Sequence, residues 1–204
     1  DEAIKIGTAP TGLITYMGTD VVQLGGEAIA SIRQNIDQNF GKRYLPDAPR
    51  VYKTKAANAQ EAHEAIRPAG DSFRTPASVA GELVGDEFAM YDLIWKRTVA
   101  SQMVNAQTAT TTVKLTAEAA DGRAVEFTAS GTVVTFPGFM AALRDVNNDE
   151  NDRELPDLAE GQSVNVDSMS AEGHATKPPA RYNEASLVAK LEELGIGRPS
   201  TYAS

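Results

Sequence analysis

Apolar residues recur at helical spacing in three parts of the chain. Between Glu27 and Phe40 they fall three or four residues apart, which predicts an amphipathic helix with Gly41 at its end. A longer helix is predicted from about Asp86 to Ala106, and another from about Asn183 to Leu194. The expected inward positions are Ile29, Ile32, Ile36 and Phe40 in the first helix, Phe88, Tyr91, Trp95, Val99 and Met103 in the second, and Leu187, Val188, Leu191 and Leu194 in the third.

From Ala109 onward the pattern changes to alternation. The stretches Ala109–Ala117 and Arg123–Phe136 predict two strands, and the Asp121-Gly122 pair between them predicts a hairpin turn. A third strand is predicted around Ser163–Met169, after an acidic stretch at 145–160 that is typical of a solvated loop. Helices followed by strands and a final helix, without βαβ alternation, predict an α+β fold.

Composition narrows the class of protein. The chain has 204 residues, 42% of them hydrophobic, which suits one large or two small domains with a real core. It has no cysteine, so a disulfide or a thiolate metal site is excluded, and a reducing cytoplasm is the expected location. We expect no membrane span and no signal peptide, because no apolar run is long enough and the chain starts with charged residues. The absence of an initiating Met suggests a piece of a longer protein.

The net charge of −9 argues against a nucleic-acid binder and leaves a structural or protein-interaction domain as one interpretation. The charge is unevenly distributed, however. Residues 68–173 carry seventeen acids and seven bases, whereas residues 1–67 carry eight of each and residues 174–204 carry three acids and four bases. The two ends can therefore present local positive surface to phosphate. The aromatic positions of the second predicted helix indicate core packing, with a base-stacking surface as the alternative.

Tyr16 lies in a short segment, apolar at Leu13, Ile14 and Met17, that predicts a strand or an extended turn. A tyrosine is a poor nucleophile at neutral pH, since its reference pKa is about 10. It suits a reaction that needs a stable, reversible phosphate ester, provided that cations surround the phosphate and another group takes the proton. Taken alone, however, Tyr16 is more typical of a packing residue.

His63 and Arg67 are four residues apart in a stretch, 58–66, that predicts a short helical turn before Pro68. If this turn is helical, the two side chains share a face and can both reach one phosphate. The alternative is an ordinary surface helix that carries a His–Arg pair.

The C-terminal residues Arg198, Pro199, Ser200 and Thr201 form a second candidate anion site. Proline is favoured at the first position of a helix, and the free N–H groups there bind anions. The alternative is a tight turn between two helices.

Six segments follow one another along the chain. They are Ile-Thr-Tyr-Met-x-Thr-Asp at 14–20, Ala-His-Glu-Ala-Ile-Arg-Pro at 62–68, Phe-Pro-Gly-Phe at 136–139, Leu-Pro-x-Leu at 155–158, Thr-Lys-Pro-Pro-Ala-Arg-Tyr at 176–182 and Gly-Ile-Gly-Arg-Pro-Ser-Thr-Tyr-Ala at 195–203. In this order and spacing they resemble the type IA DNA topoisomerases, in the branch of bacterial DNA topoisomerase I. Met17 and the closing Gly-Arg-Pro-Ser-Thr are more similar to topoisomerase I than to topoisomerase III.

The resemblance implies that this chain is one part of a four-domain toroid. The Toprim domain of that toroid is not in this part. The resemblance places a mostly helical, nucleophile-bearing domain at 1–104, a segment of an antiparallel β arch at 105–172, and the start of a helical domain that lines the single-strand groove at 173–204. It also implies an enzyme that cleaves one DNA strand through a 5′-phosphotyrosine, passes the other strand and reseals, which relaxes negative supercoils. The isolated piece is expected to be inactive.

The same resemblance assigns candidate site residues. Tyr16 becomes the nucleophile and His63 a second catalytic residue, and the resemblance places DNA contacts at Thr15, Asp20, Arg67, Arg181, Arg198, Ser200 and Thr201. No metal site is expected within the chain, because the acidic run at 149–152 lies in a loop without fixed geometry.

The implied partners are single-stranded DNA, supercoiled duplex DNA and the rest of the same polypeptide, with its Toprim and C-terminal domains. Mg²⁺ is implied for the parent enzyme, bound outside this chain. ATP is not expected, because the chain has no P-loop motif. No membrane partner is expected, and the implied location is the bacterial cytoplasm.

Gly18 departs from the family pattern, which usually has an arginine at this position. Loss of one fixed donor to the reacting phosphate costs on the order of a hundredfold or more in rate. The alternative interpretation is therefore a non-catalytic or degenerate DNA-binding module derived from the nucleophile domain.

Overall fold

The computed structural model describes residues 4–6, 9–15, 21–53, 64–143, 155–197 and 201–202. The chain forms two compact units. The first comprises Asp1–Thr110 and Thr132–Asp152, and the second comprises Thr111–Gly131 and Arg153–Ser204. The domain boundaries suggested by the resemblance, after 104 and after 172, remain a prediction.

Helices and strands occur in the order that defines an α+β chain, which confirms the predicted fold class. The strands are β1 (Ile4–Ile6), β2 (Ala9–Thr11), β3 (Gln107–Glu118) and β4 (Ala124–Phe136). The helices are α1 (Gly26–Asn39), α2 (Pro76–Val79), α3 (Asp86–Ser101), α4 (Met140–Leu143) and α5 (Glu184–Glu193), with a 3-10 turn at Lys42–Tyr44. Strands β1 and β2 form one antiparallel pair, with Ile4 opposite Thr11, and β3 and β4 form a second sheet.

The core of the first unit lies where α1 packs against α3. Ile32, Ile36 and Val99 are completely inaccessible to solvent, because the apolar stripes of the two helices face each other. Tyr91 and Trp95 belong to the same cluster and are only 3% and 7% exposed. The aromatic stripe of α3 is therefore core, as the core-packing interpretation predicts.

Helix α3 ends at Ser101, five residues before the predicted end near Ala106. The Val104 N–H, which a longer helix would bond to the Ala100 carbonyl, donates instead to the Tyr44 carbonyl at 3.0 Å. The side chain of Gln102, just past the helix end, is also bound to a distant loop. Its Oε1 accepts a hydrogen bond from the Arg50 N–H at 3.0 Å, and its Nε2 donates to the Arg50 carbonyl at 3.0 Å. A loop distant in the sequence thus satisfies polar groups at the point where the helix stops.

The predicted hairpin is confirmed, and its turn lies at Asp121-Gly122. The Gly122 N–H donates to the Ala119 carbonyl at 2.9 Å, and the Ala119 N–H donates to the Arg123 carbonyl at 2.8 Å. Between the strands, the hydroxyl groups of Thr112 and Ser130 lie 3.1 Å apart. These two residues lie in the second unit, which thus contains the outer part of the hairpin.

Two expectations for the second unit are wrong. Residues 163–169 form no strand, and Val166 and Met169 are 70% and 74% exposed. Alternation of apolar and polar residues does not by itself provide a neighbouring strand to pair with. Helix α5 forms as predicted, with Asn183 as its N-cap, but none of its residues is buried. Leu187 and Leu194 are exposed, whereas Val188 and Leu191 are half-buried, so the predicted inward face is only partly covered in this unit. The helices that the structure describes include none long and apolar enough to span a membrane.

Gly138 shows why the Phe-Pro-Gly-Phe segment requires a glycine. Its φ is +49°, and a Cβ built there would lie 2.3 Å from the backbone oxygen of Asn105 and 2.5 Å from the nitrogen of Ala106. Backbone atoms cannot rotate away as a side chain can. The close approach is held by a hydrogen bond from the Phe139 N–H to the Val104 carbonyl at 2.9 Å.

We expect Gly138→Ala to lower the free energy of unfolding by about 3 kcal/mol or more, because left-handed strain and a backbone clash add together. Gly70→Ala is the control, since Gly70 also has a positive φ, +87°, but open space around a built Cβ. It should cost only the backbone strain, about 1 to 2 kcal/mol. Urea denaturation, followed by the fluorescence of the single tryptophan, Trp95, measures both. Equal losses would show that the close approach is not the cause.

Candidate functional site

Two segments that are far apart in the sequence meet in the first unit. Ile14 forms an antiparallel bridge with Pro68. On either side of it, the Thr15 N–H donates to the Arg67 carbonyl at 2.9 Å, and the Ala69 N–H donates to the Leu13 carbonyl at 2.8 Å. The segment that leads into Tyr16 is therefore extended, as predicted, and it pairs with the segment that contains Arg67.

The Thr15 hydroxyl strengthens this pairing. It accepts a hydrogen bond from the Arg67 N–H at 3.0 Å. It also lies 3.3 Å from the Arg67 carbonyl oxygen and 3.4 Å from that of Ala65, either of which can accept its proton. Both the backbone and the side chain of Thr15 thus fix the Arg67 backbone.

The predicted helical turn at 58–66 is wrong for the residues that the structure describes there. Residues 64–66 are not helical, and residues 58–63 lie outside the described part of the chain. The Ala65 N–H donates to the Gln23 carbonyl at 2.8 Å, and the Arg67 N–H is bound to Thr15. Tertiary partners therefore satisfy the N–H groups that a helix would bond internally.

The Arg67 guanidinium is held on several sides. Its Nε donates to Glu64 Oε2 at 2.8 Å, and its Nη1 donates to the Pro68 carbonyl at 3.1 Å. Its central carbon lies 5.8 Å from the centre of the Phe73 ring, within the range of a cation–π contact. The side chain is only 16% exposed, so it is partly desolvated and has a fixed position.

Glu64 is a site residue that the sequence reasoning missed. Its Oε1 accepts a hydrogen bond from the Gly25 N–H at 2.8 Å, where Gly25 precedes the first turn of α1. Its Oε2 accepts from Arg67, so one carboxylate joins the helix N-terminus to the guanidinium. A signal was available, because an acid three residues before an arginine is a typical ion-pair spacing.

The remaining predicted site residues fall into two groups. Tyr16, Asp20, His63, Arg198 and Ser200 lie outside the described residues, as does Gly18. Arg181 and Thr201 are described, and both are exposed residues of the second unit. Thr15 and Arg67 are the predicted site residues that the described structure brings into contact.

The acidic run at 149–152 also lies outside the described residues. Within the ranges described, no group of three or more His, Cys, Asp or Glu side chains could hold a metal ion.

Comparison with known proteins decides the family. A family profile described as DNA topoisomerase matches residues 9–204, which is nearly the whole chain. The chain belongs to this DNA topoisomerase family. Its relatives include a protein named DNA topoisomerase 1 from Streptomyces coelicolor, 54% identical over 199 residues, and another of that name from Rickettsia felis, 48% identical over 206 residues.

The chain spans only part of these DNA topoisomerases. The matched region covers 95% of this chain and 21% of the Streptomyces coelicolor protein, and 100% of this chain and 26% of the Rickettsia felis protein. The full-length topoisomerase I of Thermotoga maritima is similar in structure, with 33% sequence identity and a TM-score of 0.74 over 98% of this chain and 31% of that one. The predicted resemblance to bacterial topoisomerase I is thus confirmed.

Proposed function

We propose that this chain is the nucleophile-bearing segment of a type IA DNA topoisomerase. The parent enzyme cleaves one DNA strand through Tyr16, passes the other strand through the gap and reseals it. The observation that carries this proposal is the family match over residues 9–204, which includes all six of the segments on which the resemblance rests.

The geometry of the first unit supports the proposed chemistry. In the sequence, Tyr16 directly follows Thr15 and His63 directly precedes Glu64, and both Thr15 and Glu64 bind Arg67. In the proposed step the Tyr16 oxygen attacks a DNA phosphorus and forms a 5′-phosphotyrosine, while the 3′ oxygen leaves. His63 is proposed to take part in proton transfer, and Arg67 to donate to the phosphate oxygens as charge develops on them.

The proposed partners and cofactor follow from the same assignment. Single-stranded and supercoiled duplex DNA are the proposed substrates, and the Toprim and C-terminal domains of the same polypeptide are the proposed intramolecular partners. We assign Mg²⁺ to the parent enzyme, outside this chain, where the ion would help to hold the DNA phosphate. We also propose that the parent enzyme requires no ATP and that it acts in the cytoplasm, at the nucleoid.

Gly18 favours a second candidate function, a DNA-binding module that has lost catalytic competence. Glycine has no side-chain donor to offer the reacting phosphate, whereas an arginine at this position would supply a charge-assisted one. This candidate predicts salt-sensitive binding of single-stranded DNA without any covalent intermediate.

The isolated 204-residue chain is expected not to relax negatively supercoiled plasmid DNA, with or without Mg²⁺, because the other half of the proposed active site is absent. The full-length protein is expected to relax it. Agarose gel electrophoresis of the plasmid topoisomers distinguishes these outcomes. Mg²⁺-dependent relaxation by the purified chain alone would contradict the proposed division of the active site.

A further inference from the structure

We propose that Glu64 is a positioning residue for strand cleavage, which acts by fixing the guanidinium of Arg67 for a DNA phosphodiester. This inference rests on the proposed function, since it requires Arg67 to meet the DNA phosphate. It gives Glu64 a role that its presence in the motif at 62–68 does not by itself supply.

The Glu64 carboxylate uses both of its oxygens. Oε1 accepts from the Gly25 N–H at 2.8 Å, and Oε2 accepts from Arg67 Nε at 2.8 Å. Gly25 lies at the N-terminus of α1, where the partial positive charge of the helix favours a carboxylate. The N-terminus of a 14-residue helix therefore fixes the position of the Glu64 carboxylate, and this carboxylate fixes Arg67 in turn.

This arrangement holds the Arg67 guanidinium in one orientation before an anion binds. Glu64 occupies Nε, and the Pro68 carbonyl occupies Nη1 at 3.1 Å. Nη2 has no hydrogen bond to the described residues, so its two N–H groups, with the second N–H of Nη1, remain to donate to phosphate oxygens. A donor that is already fixed loses little conformational freedom when the phosphate becomes more negative in the transition state.

The absence of a side chain at Gly25 leaves the space that the Glu64 carboxylate occupies. A Cβ at residue 25 would lie 2.1 Å from Glu64 Oε1. The φ of Gly25 is −66°, which any residue can adopt, so the backbone conformation does not require a glycine. A side chain at residue 25 would instead force the Glu64 carboxylate, the end of a flexible side chain, out of its present position. The adjacent Gly26 has nothing within 4 Å of a built Cβ, so it has no such constraint.

An opposite effect competes with positioning, and the two predict opposite results. Glu64 places a negative charge beside Arg67 and so weakens the attraction of Arg67 for phosphate. If this effect dominates, removal of the charge will speed cleavage. If positioning dominates, removal will slow it. The two-sided hydrogen bonding and the low exposure of Arg67, 16%, favour positioning.

The test uses the full-length protein and single-turnover cleavage of an end-labelled single-stranded oligonucleotide. Glu64→Gln preserves the volume but leaves only one acceptor oxygen for two donors. We expect it to slow cleavage about tenfold, and Arg67→Ala to slow it about a hundredfold. Combined with Arg67→Ala, Glu64→Gln should have no further effect, because it acts through Arg67. A merely structural role would give multiplicative losses instead.

Gly25→Ala tests the same contact from the opposite side, without replacing Glu64 or Arg67. It should slow cleavage about as much as Glu64→Gln does, since it displaces the carboxylate. Gly26→Ala is the matched control and should cleave at the unchanged rate. Failure of the unmodified full-length protein to cleave would refute the proposed function itself. Cleavage by the unmodified protein, with unchanged or faster cleavage by Glu64→Gln, would overturn the role of Glu64 alone.

Discussion

Tyr16→Phe in the full-length protein is expected to abolish DNA strand cleavage, with a loss on the order of 10⁴-fold or more. The substitution removes one oxygen atom and leaves the ring, so packing changes little. No other group can form the same ester, because the proposed intermediate joins that oxygen to the DNA 5′ phosphate. Denaturing electrophoresis of an end-labelled oligonucleotide shows the cleaved strand directly.

Tyr52→Phe is the matched control for this loss. The Tyr52 hydroxyl donates to the Ser101 carbonyl at 2.6 Å, so its removal deletes a structural hydrogen bond in the same unit. We expect unchanged cleavage by this variant and at most a small loss of stability. Residual cleavage by Tyr16→Phe at a rate near that of the unmodified protein would exclude Tyr16 as the nucleophile.

Gly18→Arg in the full-length protein is expected to raise the rate of strand cleavage about a hundredfold or more. An arginine restores the side chain that the family usually has beside the nucleophile, and its planar guanidinium can donate two hydrogen bonds to a phosphate. It also limits the backbone freedom that a glycine introduces next to Tyr16. Single-turnover cleavage of the same oligonucleotide measures the change.

The control for Gly18→Arg must separate placement from added charge. Gly81→Arg adds the same charge at a glycine with open space around it, in a described and exposed turn of the first unit. It should change cleavage little, although both variants gain long-range attraction for DNA at low salt. Equal cleavage rates for the unmodified protein and its Gly18→Arg variant would remove the reason to regard this chain as catalytically impaired.

The elements that the sequence predicts well are those with their own periodicity. Helices α1 and α3 and the β3–β4 hairpin were predictable, because their apolar positions repeat and a clear turn pair joins the strands. Residues 163–169 show where a local pattern is not enough to form a strand. Alternation there predicts a strand, but a strand needs a partner, and none of the described residues pairs with this segment.

The candidate site was predictable as a set of motifs but not as a set of contacts. Nothing local indicates that Thr15 pairs with Arg67, which lies 52 residues further along the chain. That pairing also replaces the helical turn expected before Pro68. The bond between Glu64 and Gly25 crosses 39 residues, so its role was equally invisible in the sequence.

The most direct test of the central claim is to map the covalent bond between protein and DNA. The full-length protein is incubated with a single-stranded oligonucleotide labelled at its 3′ end, trapped with denaturant and digested with protease, and the labelled peptide is identified by mass spectrometry. A 5′-phosphotyrosine predicts that the labelled fragment stays on the protein, attached at Tyr16. Attachment at another residue, or relaxation of supercoiled DNA without any covalent adduct, would contradict the account.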